Sequence, residues 1–415
     1  MARTKIAVTV GAANRQPEII RKMALAGARA FRINFSHGSI EEWREAVKIV
    51  RETEDELGTH LALIGDLPGP SVRVGVLEEP VDVKAGEIVK LVLSDSSRGG
   101  AEKVIPLPNE AVLAALRRGH VILMDDGLAA FEVESASSSE AVLRALTDAR
   151  ISSRKSMVVR GKDLDLPTIS GREVEIVKFA ASEELDYIGV PRLQSMIVRE
   201  SIGRGKPVIV ATQLLGSMIW NPIPTRSEIV DVVAAISEGV DVLMLTNETA
   251  VGRYPVEAVK WLHKIIERYE PGITPPKRII DPSEDIRTRF AYGVASLAES
   301  LNAAILIYTI SGRTAQRIAS FRPSTSVIAA SPSKRTLRRL MLLRGVETVE
   351  VSSKTYEEGL SELGRMLMSG GINVREHTVV LTYGMREEPV HLVKIIHLGL
   401  GAEERRMDGE SAQTA

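Results

Sequence analysis

Five short polar runs in this chain carry residue types that handle anions and cations. Arg32-Ile-Asn-Phe-Ser-His-Gly38 offers a guanidinium, an amide, a hydroxyl and an imidazole. Gly65-Asp-Leu-Pro-Gly-Pro-Ser-Val-Arg73 adds a carboxylate and a second guanidinium. Ala211-Thr-Gln-Leu-Leu-Gly-Ser-Met218, Pro224-Thr-Arg-Ser-Glu228 and Thr246-Asn-Glu-Thr-Ala250 add hydroxyls, amides and carboxylates. Each run lies at or just after a stretch that reads as a strand. Parallel strands deliver the side chains at their carboxyl ends to one place, so the runs point to a shared pocket lined by Arg32, Asn34, Asp66, Arg73 and Thr212. Alone, the Arg32 run is equally well a polar turn capped by Gly38; its recurrence at other strand ends favours a pocket. Two arginines suit a phosphate or carboxylate, because a planar guanidinium grips two oxygens at once.

The elements that position these runs follow from hydrophobic periodicity. Residues 5–10, 29–34 and 61–65 read as strands, with helices over 18–26 and 40–57, and this alternation argues for a parallel sheet with helices outside it, a barrel or an open doubly wound sheet. From about residue 74 to 159 the texture changes to short alternating runs separated by Gly, Ser and Asp, as expected of a small inserted β domain. Helix and strand alternation then resumes, with helices over 172–184, 193–203 and 227–238 and strands over 187–190, 207–211 and 242–245. The main domain therefore comprises 1–73 and 160–272, and the insert 74–159. A proline-rich stretch over 271–277 reads as a linker to a third domain, 285–400, whose strands over 304–308, 326–330, 347–351 and 378–382 alternate with helices in an open α/β sheet. Residues 401–415 are polar and expected to form a disordered tail.

Composition narrows the function classes. The 415 residues are 44% apolar and 26% charged, enough for two or three domains of an ordinary soluble protein. A net charge of −1 gives no basic field for nucleic acid or an anionic membrane. No run nears the roughly 18 apolar residues of a membrane span, and the start lacks a signal-peptide core, so a cytoplasmic location is expected. With no cysteine, disulfides and thiolate metal sites are excluded. The same lack, with sparse Asn and Gln and plentiful Glu, Arg and Lys, matches thermophilic composition.

In order along the chain, Thr4-Lys-Ile-Ala-Val-Thr-Val-Gly11, Arg32 to Gly38, Asp66 to Arg73, Met124-Asp-Asp-Gly127, Gly205-Lys-Pro-Val-Ile-Val-Ala-Thr-Gln-Leu-Leu215, Tyr254-Pro-Val-Glu-Ala-Val259, Ser311-Gly-Arg-Thr-Ala315 and Arg344-Gly-Val346 resemble the pyruvate kinase family. The resemblance implies a TIM-barrel-derived main domain, a small β-barrel domain inserted after its third strand, and a C-terminal α/β domain with an open sheet. It implies phosphoryl transfer between phosphoenolpyruvate and ADP, giving pyruvate and ATP in glycolysis, with Mg2+ as cofactor, and a homo-oligomer, a tetramer in the family. By match, Arg32 and Arg73 would hold the phosphoryl group and Thr212 would sit beside the enolpyruvate carbon. Asn34, Ser36 and Asp66 would form the monovalent-cation site. Asn34 and His37, and in the third domain Ser311, Arg313 and Thr314, are the remaining binding positions, the last three for a phosphorylated effector. Backbone amides at a helix start suit phosphate, although read alone this loop is as well an N-capped turn. Where the family has Thr-Lys-Gly-Pro-Glu after the third strand, this chain has Leu67-Pro-Gly-Pro-Ser71, and the lost acid argues against dependence on K+.

One departure is larger. Two family strings, Lys-Ile-Glu-Asn and Ala-Arg-Gly-Asp-Leu-Gly, carry the catalytic lysine and the metal carboxylates, and neither occurs here. Residues 193–205 are enough for one helix of roughly 20 Å, whereas two strand–helix units need on the order of 60 residues. Strands ending near Val10, Asn34, Gly65, Val190, Ala211 and Leu245 number six, two short of a filled barrel. Lys206 precedes its strand, at the end away from the pocket, and cannot replace the lost lysine. Two readings follow: a working enzyme whose ligands come from elsewhere, such as Glu200, Glu228 or Glu248, or a relative that binds phosphorylated anions and transfers little, as a sensor or partner subunit. Physics favours the second, because phosphoryl transfer depends on cations that neutralise the moving group. A scaffold with no ligand is the blandest alternative.

Overall fold

The computed structural model describes residues 2–36, 38–67, 72–97, 103–125, 127–159, 171–189, 201–211, 214–384 and 391–398. The chain divides into two compact units, Met1–Leu67 with Lys178–Ala415, and Pro68–Val177.

In the first unit, six parallel strands form one sheet in the order Tyr187–Gly189, Ala62–Asp66, Ala28–Asn34, Lys5–Val10, Val242–Leu245 and Ile209–Val210. These are the six strands expected from the sequence. The fifth in chain order is shorter than the expected 207–211. Lys5–Val10 and Val242–Leu245 are buried almost throughout, as strands covered on both faces must be, which is why they read as apolar runs and not as alternation.

Helices wrap this sheet for legible reasons. Ile40–Leu57 starts at a capping box between Ser39 and Glu42 and ends at Gly58, whose φ of 58° suits glycine. Its Trp43, Val47 and Val50 form the buried stripe. Trp43 packs edge-on against Phe35, ring centroids 4.8 Å apart, and Phe35 meets Phe179 at 6.0 Å. Gly65 makes room for that cluster, because a Cβ there would lie 2.5 Å from the Phe35 ring.

The C-terminal part is a five-stranded sheet in the order Val346–Glu350, Val327–Ser331, Ala303–Tyr308, Thr378–Gly384 and His391–His397. The first four are parallel, as expected. The last runs antiparallel along the edge and was not foreseen, because its half-exposed pattern lacks clean alternation. Buried ion pairs tie this sheet to the barrel part: Arg322 to Asp241 at 2.9 Å and Arg344 to Glu270 at 2.8 Å.

The second unit is built on a seven-stranded sheet in the order Val72–Arg73, Ser156–Val159, Val121–Met124, Ala129–Ala136, Glu140–Ala145, Ile88–Leu93 and Val104–Leu107. Alternate residues, among them Leu91, Ile105, Phe131 and Leu143, close its core. The architecture is thus the one expected: a barrel-derived sheet, an inserted β unit and an open α/β sheet. Among the described residues, no helix is long and apolar enough to cross a membrane.

Candidate functional site

At the carboxyl ends of the first three strands, the register sets Thr9 beside Arg32 and Asn34 beside Asp66. Arg32 reaches across to the neighbouring strand: its Nε donates to Asp66 Oδ2 at 2.9 Å, Nη2 joins the same oxygen, and Nη1 donates to Thr9 Oγ1 at 3.2 Å. Asp66, expected as a cation ligand, is therefore also the partner of the expected anion-holding arginine. Asn34 Oδ1 accepts from the Ser36 amide at 3.1 Å, so these two expected ligands shape one turn.

Arg73 belongs to the second unit, on the strand Val72–Arg73, where it is exposed and its Nη1 donates to the Arg154 carbonyl at 3.0 Å. Thr212, His37 and Glu200 lie outside the described residues. Lys206 sits before Ile209–Val210, at the amino end of a parallel strand and away from Arg32.

Two carboxylates that could have served a metal are committed to structure. Glu248 is fully buried and accepts from the Leu215 amide at 3.1 Å and the Thr246 amide at 2.8 Å. Glu228 closes a capping box with Thr225 and accepts from the Ser217 amide at 2.6 Å. Burial works against its ionisation, but the bonds from Ser217 and Thr225 outweigh that and hold its carboxyl below the usual range. Among the described residues, no three His, Asp or Glu side chains are grouped to hold a metal ion. Magnesium prefers carboxylate oxygens, and those of Glu228 and Glu248 are already taken up by backbone amides.

A buried polar network near the site went unread in the sequence. Asn14 donates to the Thr9 carbonyl at 2.9 Å and the Thr249 carbonyl at 2.8 Å, while its own Oδ1 accepts from the Gly11 amide at 2.9 Å. It pins the end of the first strand to the short helix Asn247–Ala250 that follows the last. The only sequence signal was an amide residue three positions beyond the glycine that follows a strand.

In the C-terminal sheet, Ser311, Arg313 and Thr314 line one hollow with Arg287, Arg317 and His391. Gly312, with φ of 79°, opens the helix Arg313–Ser320, and its amide donates to Thr309 Oγ1 at 3.0 Å. Three guanidinium groups lining one hollow favour an anion. A larger cavity of about 630 Å3 lies at the other end of the barrel strands, lined by Lys5, Arg29, His60 and Glu347 among others, away from Arg32.

A family described as pyruvate kinase, barrel domain, matches residues 1–192 and, as a second piece, 184–259, and one described as pyruvate kinase, alpha/beta domain, matches residues 289–396. The chain belongs to the pyruvate kinase family. The pyruvate kinase of Pyrobaculum aerophilum is 34% identical over 462 positions, taking in 94% of this chain and 96% of the relative. That of Aeropyrum pernix is 30% identical over 461 positions, with 95% and 98% covered. The crystal structure of pyruvate kinase from Pyrobaculum aerophilum matches with a TM-score of 0.80 at 32% identity, covering 95% of this chain and 99% of that one. Both sequence alignments are longer than the chain's 415 residues, so these pyruvate kinases contain residues that this chain lacks. The two pieces of the barrel match meet at 184–192, where the Tyr187–Gly189 strand ends.

Proposed function

We propose that this chain works on the substrates of the pyruvate kinase reaction, binding phosphoenolpyruvate at the carboxyl end of its barrel sheet, and that alone it passes the phosphoryl group to ADP slowly or not at all. The observation that carries this is the break in the barrel match at 184–192, together with the family strings missing from the sequence there. Binding needs anion-holding groups, and Arg32, Arg73 and Thr212 are the expected ones. Transfer needs more: cationic stabilisers that act as charge develops on the moving group. Removing one such group costs roughly 3–4 kcal/mol in barrier, so losing a lysine and a metal clamp together lowers the rate on the order of 10⁴-fold or more.

The second reading, a fully active pyruvate kinase, is supported by the extent of the likeness to the Pyrobaculum aerophilum enzyme. It requires carboxylates from elsewhere, and Glu228 and Glu248 already serve the backbone. A coupled assay for pyruvate with Mg2+ or Mn2+ separates the two: turnover above about 1 s⁻¹, low for enzymes generally, overturns our reading. Calorimetry with phosphoenolpyruvate is expected to show binding, and a flat titration overturns the binding half. In the C-terminal sheet, the hollow of Arg287, Arg313 and Arg317 supports a site for a phosphorylated effector. Cytoplasmic residence and assembly into a homo-oligomer accord with this role.

A further inference from the structure

We propose that the cavity at the amino ends of the barrel strands is a covalent ligand site, in which Lys5 condenses with the carbonyl group of a small 2-oxo acid while Arg29 holds the carboxylate. The inference does not depend on the reaction proposed for the opposite end of the sheet.

Two neighbouring strands supply the cations. Lys5 opens the strand Lys5–Val10, and its amide is fixed to the Asp241 carbonyl at 2.9 Å. The residue is buried yet lines the cavity, and among the described residues its ammonium has no hydrogen bond and no ion pair. A lysine is rarely buried this far without a partner, because the desolvated charge is left uncompensated.

Arg29 is aimed by a bulge. The register of the first two strands slips between Ile6, opposite Ala28, and Ala7, opposite Ala30, which leaves Arg29 as the extra residue. Bulges re-aim a side chain in this way and are frequent beside active sites. Arg29 Nη1 donates to the carbonyls of Ala24 at 3.0 Å and Ala28 at 2.9 Å. The guanidinium is thus held through one nitrogen, and among the described residues its Nε and Nη2 edge makes no bond. Such an edge grips both oxygens of a carboxylate.

Glu347, from the strand Val346–Glu350, is the strongest opposite charge acting on Lys5 and also acts on Arg29. A lysine that is desolvated and set beside another cation is the form in which lysine serves as a Schiff-base nucleophile. Burial, helped by Arg29 and resisted by Glu347, brings the Lys5 pKa down to about 8, so half of it is free amine at pH 8. Simple anion binding would call for a lysine that keeps its proton, and the surroundings of Lys5 work the other way. In the condensation the amine nitrogen bonds to the carbonyl carbon, and the carbonyl oxygen departs with the two amine hydrogens as one water, leaving an imine. No oxidant or reductant is consumed, and Glu347 is the carboxylate placed to relay the protons. The cavity, at about 630 Å3, is of the size that takes small molecules.

The test incubates the full chain at pH 8 with pyruvate and cyanoborohydride, which reduces an imine to a stable secondary amine, and maps the added mass by peptide mass spectrometry. Lys5 is expected to be modified at least tenfold faster than the exposed Lys48. Acetone, with the carbonyl but no carboxylate, is expected to be trapped at Lys5 at least tenfold more slowly than pyruvate. Lactate, with the carboxylate but no carbonyl, is expected to slow the trapping of pyruvate without being trapped itself. Arg29→Gln is expected to bring the pyruvate rate down to that of acetone. Should that variant unfold, the comparison of pyruvate with acetone on the unaltered chain still decides. The proposal is overturned if Lys5 is modified no faster than Lys48, or if acetone and pyruvate react alike. It is equally overturned if pyruvate shields Lys5 from a general amine reagent while no adduct is trapped, since the cavity would then hold anions without covalent capture.

Discussion

Arg32 and Asp66, 34 residues apart in sequence, share one contact on adjacent strands, with Nε 2.9 Å from Oδ2 and both side chains largely shielded from solvent. A pair this sheltered is worth more than a surface ion pair. A double-mutant cycle with Arg32→Gln and Asp66→Asn is expected to return a coupling of about 1–3 kcal/mol in denaturant unfolding. In calorimetry, Arg32→Gln is expected to weaken phosphoenolpyruvate binding at least tenfold, and unchanged affinity would remove Arg32 from the site.

Glu228 distinguishes a structural carboxylate from a metal ligand. Glu228→Gln keeps the shape but weakens a capping box and the hold on Ser217, so it is expected to cost about 1–2 kcal/mol of stability. Titration with Mn2+ followed by electron paramagnetic resonance is expected to be the same for variant and parent. A loss of Mn2+ binding with stability intact would return Glu228 to the metal and favour the fully active reading.

Much of this was written in the sequence, and the reason is that parallel strands buried on both faces leave a strong local mark. The barrel strands Lys5–Val10, Ala62–Asp66 and Val242–Leu245, buried almost throughout, were legible for that reason. The pairing of Arg32 with Asp66 was not, because it depends on the register of two strands, which no spacing along the chain encodes. The edge strand His391–His397 escaped for the opposite reason: it covers little, so its pattern is mixed. Asn14 was invisible because one buried amide looks like any loop asparagine until its partners, Thr9 and Thr249, 240 residues apart in sequence, are brought together by the fold.

Lys5 opens a strand yet is 7% exposed, at the rim of the cavity away from Arg32. Burial, opposed by Glu347 and reinforced by Arg29, pushes its ammonium down to about 8 from 10.5. Below pH 8 both folded and unfolded chains carry the proton, and folding bears the full cost of burying the charge. Between pH 8 and 10.5 the folded chain loses it first, so this contribution to stability rises with pH. Lys5→Met is therefore expected to be more stable than the parent at pH 7 by up to about 3 kcal/mol, with the gap closing toward pH 10.5. A gap that does not vary with pH in chemical denaturation would exclude this lysine as the source.

Asp241 fastens three things at once: the Val208 amide at 2.9 Å, the Arg344 amide at 3.1 Å and the Arg322 guanidinium at 2.9 Å. The first holds a strand at the edge of the barrel sheet, and the other two belong to the C-terminal sheet. Removing its charge leaves Arg322, 6% exposed, without its counterion. Breaking a buried pair from one side costs about 3–5 kcal/mol, more than the pair itself contributes. Asp241→Asn is expected to lose that much, whereas Asp241→Asn combined with Arg322→Met is expected to recover at least half, because no unpaired charge remains buried. If the edge strand depends on this anchor, exchange at the Val210 amide should quicken in the single variant in step with its global stability. Faster exchange there without any fall in global stability would show that Asp241 holds the edge alone and that the two sheets are joined by other contacts.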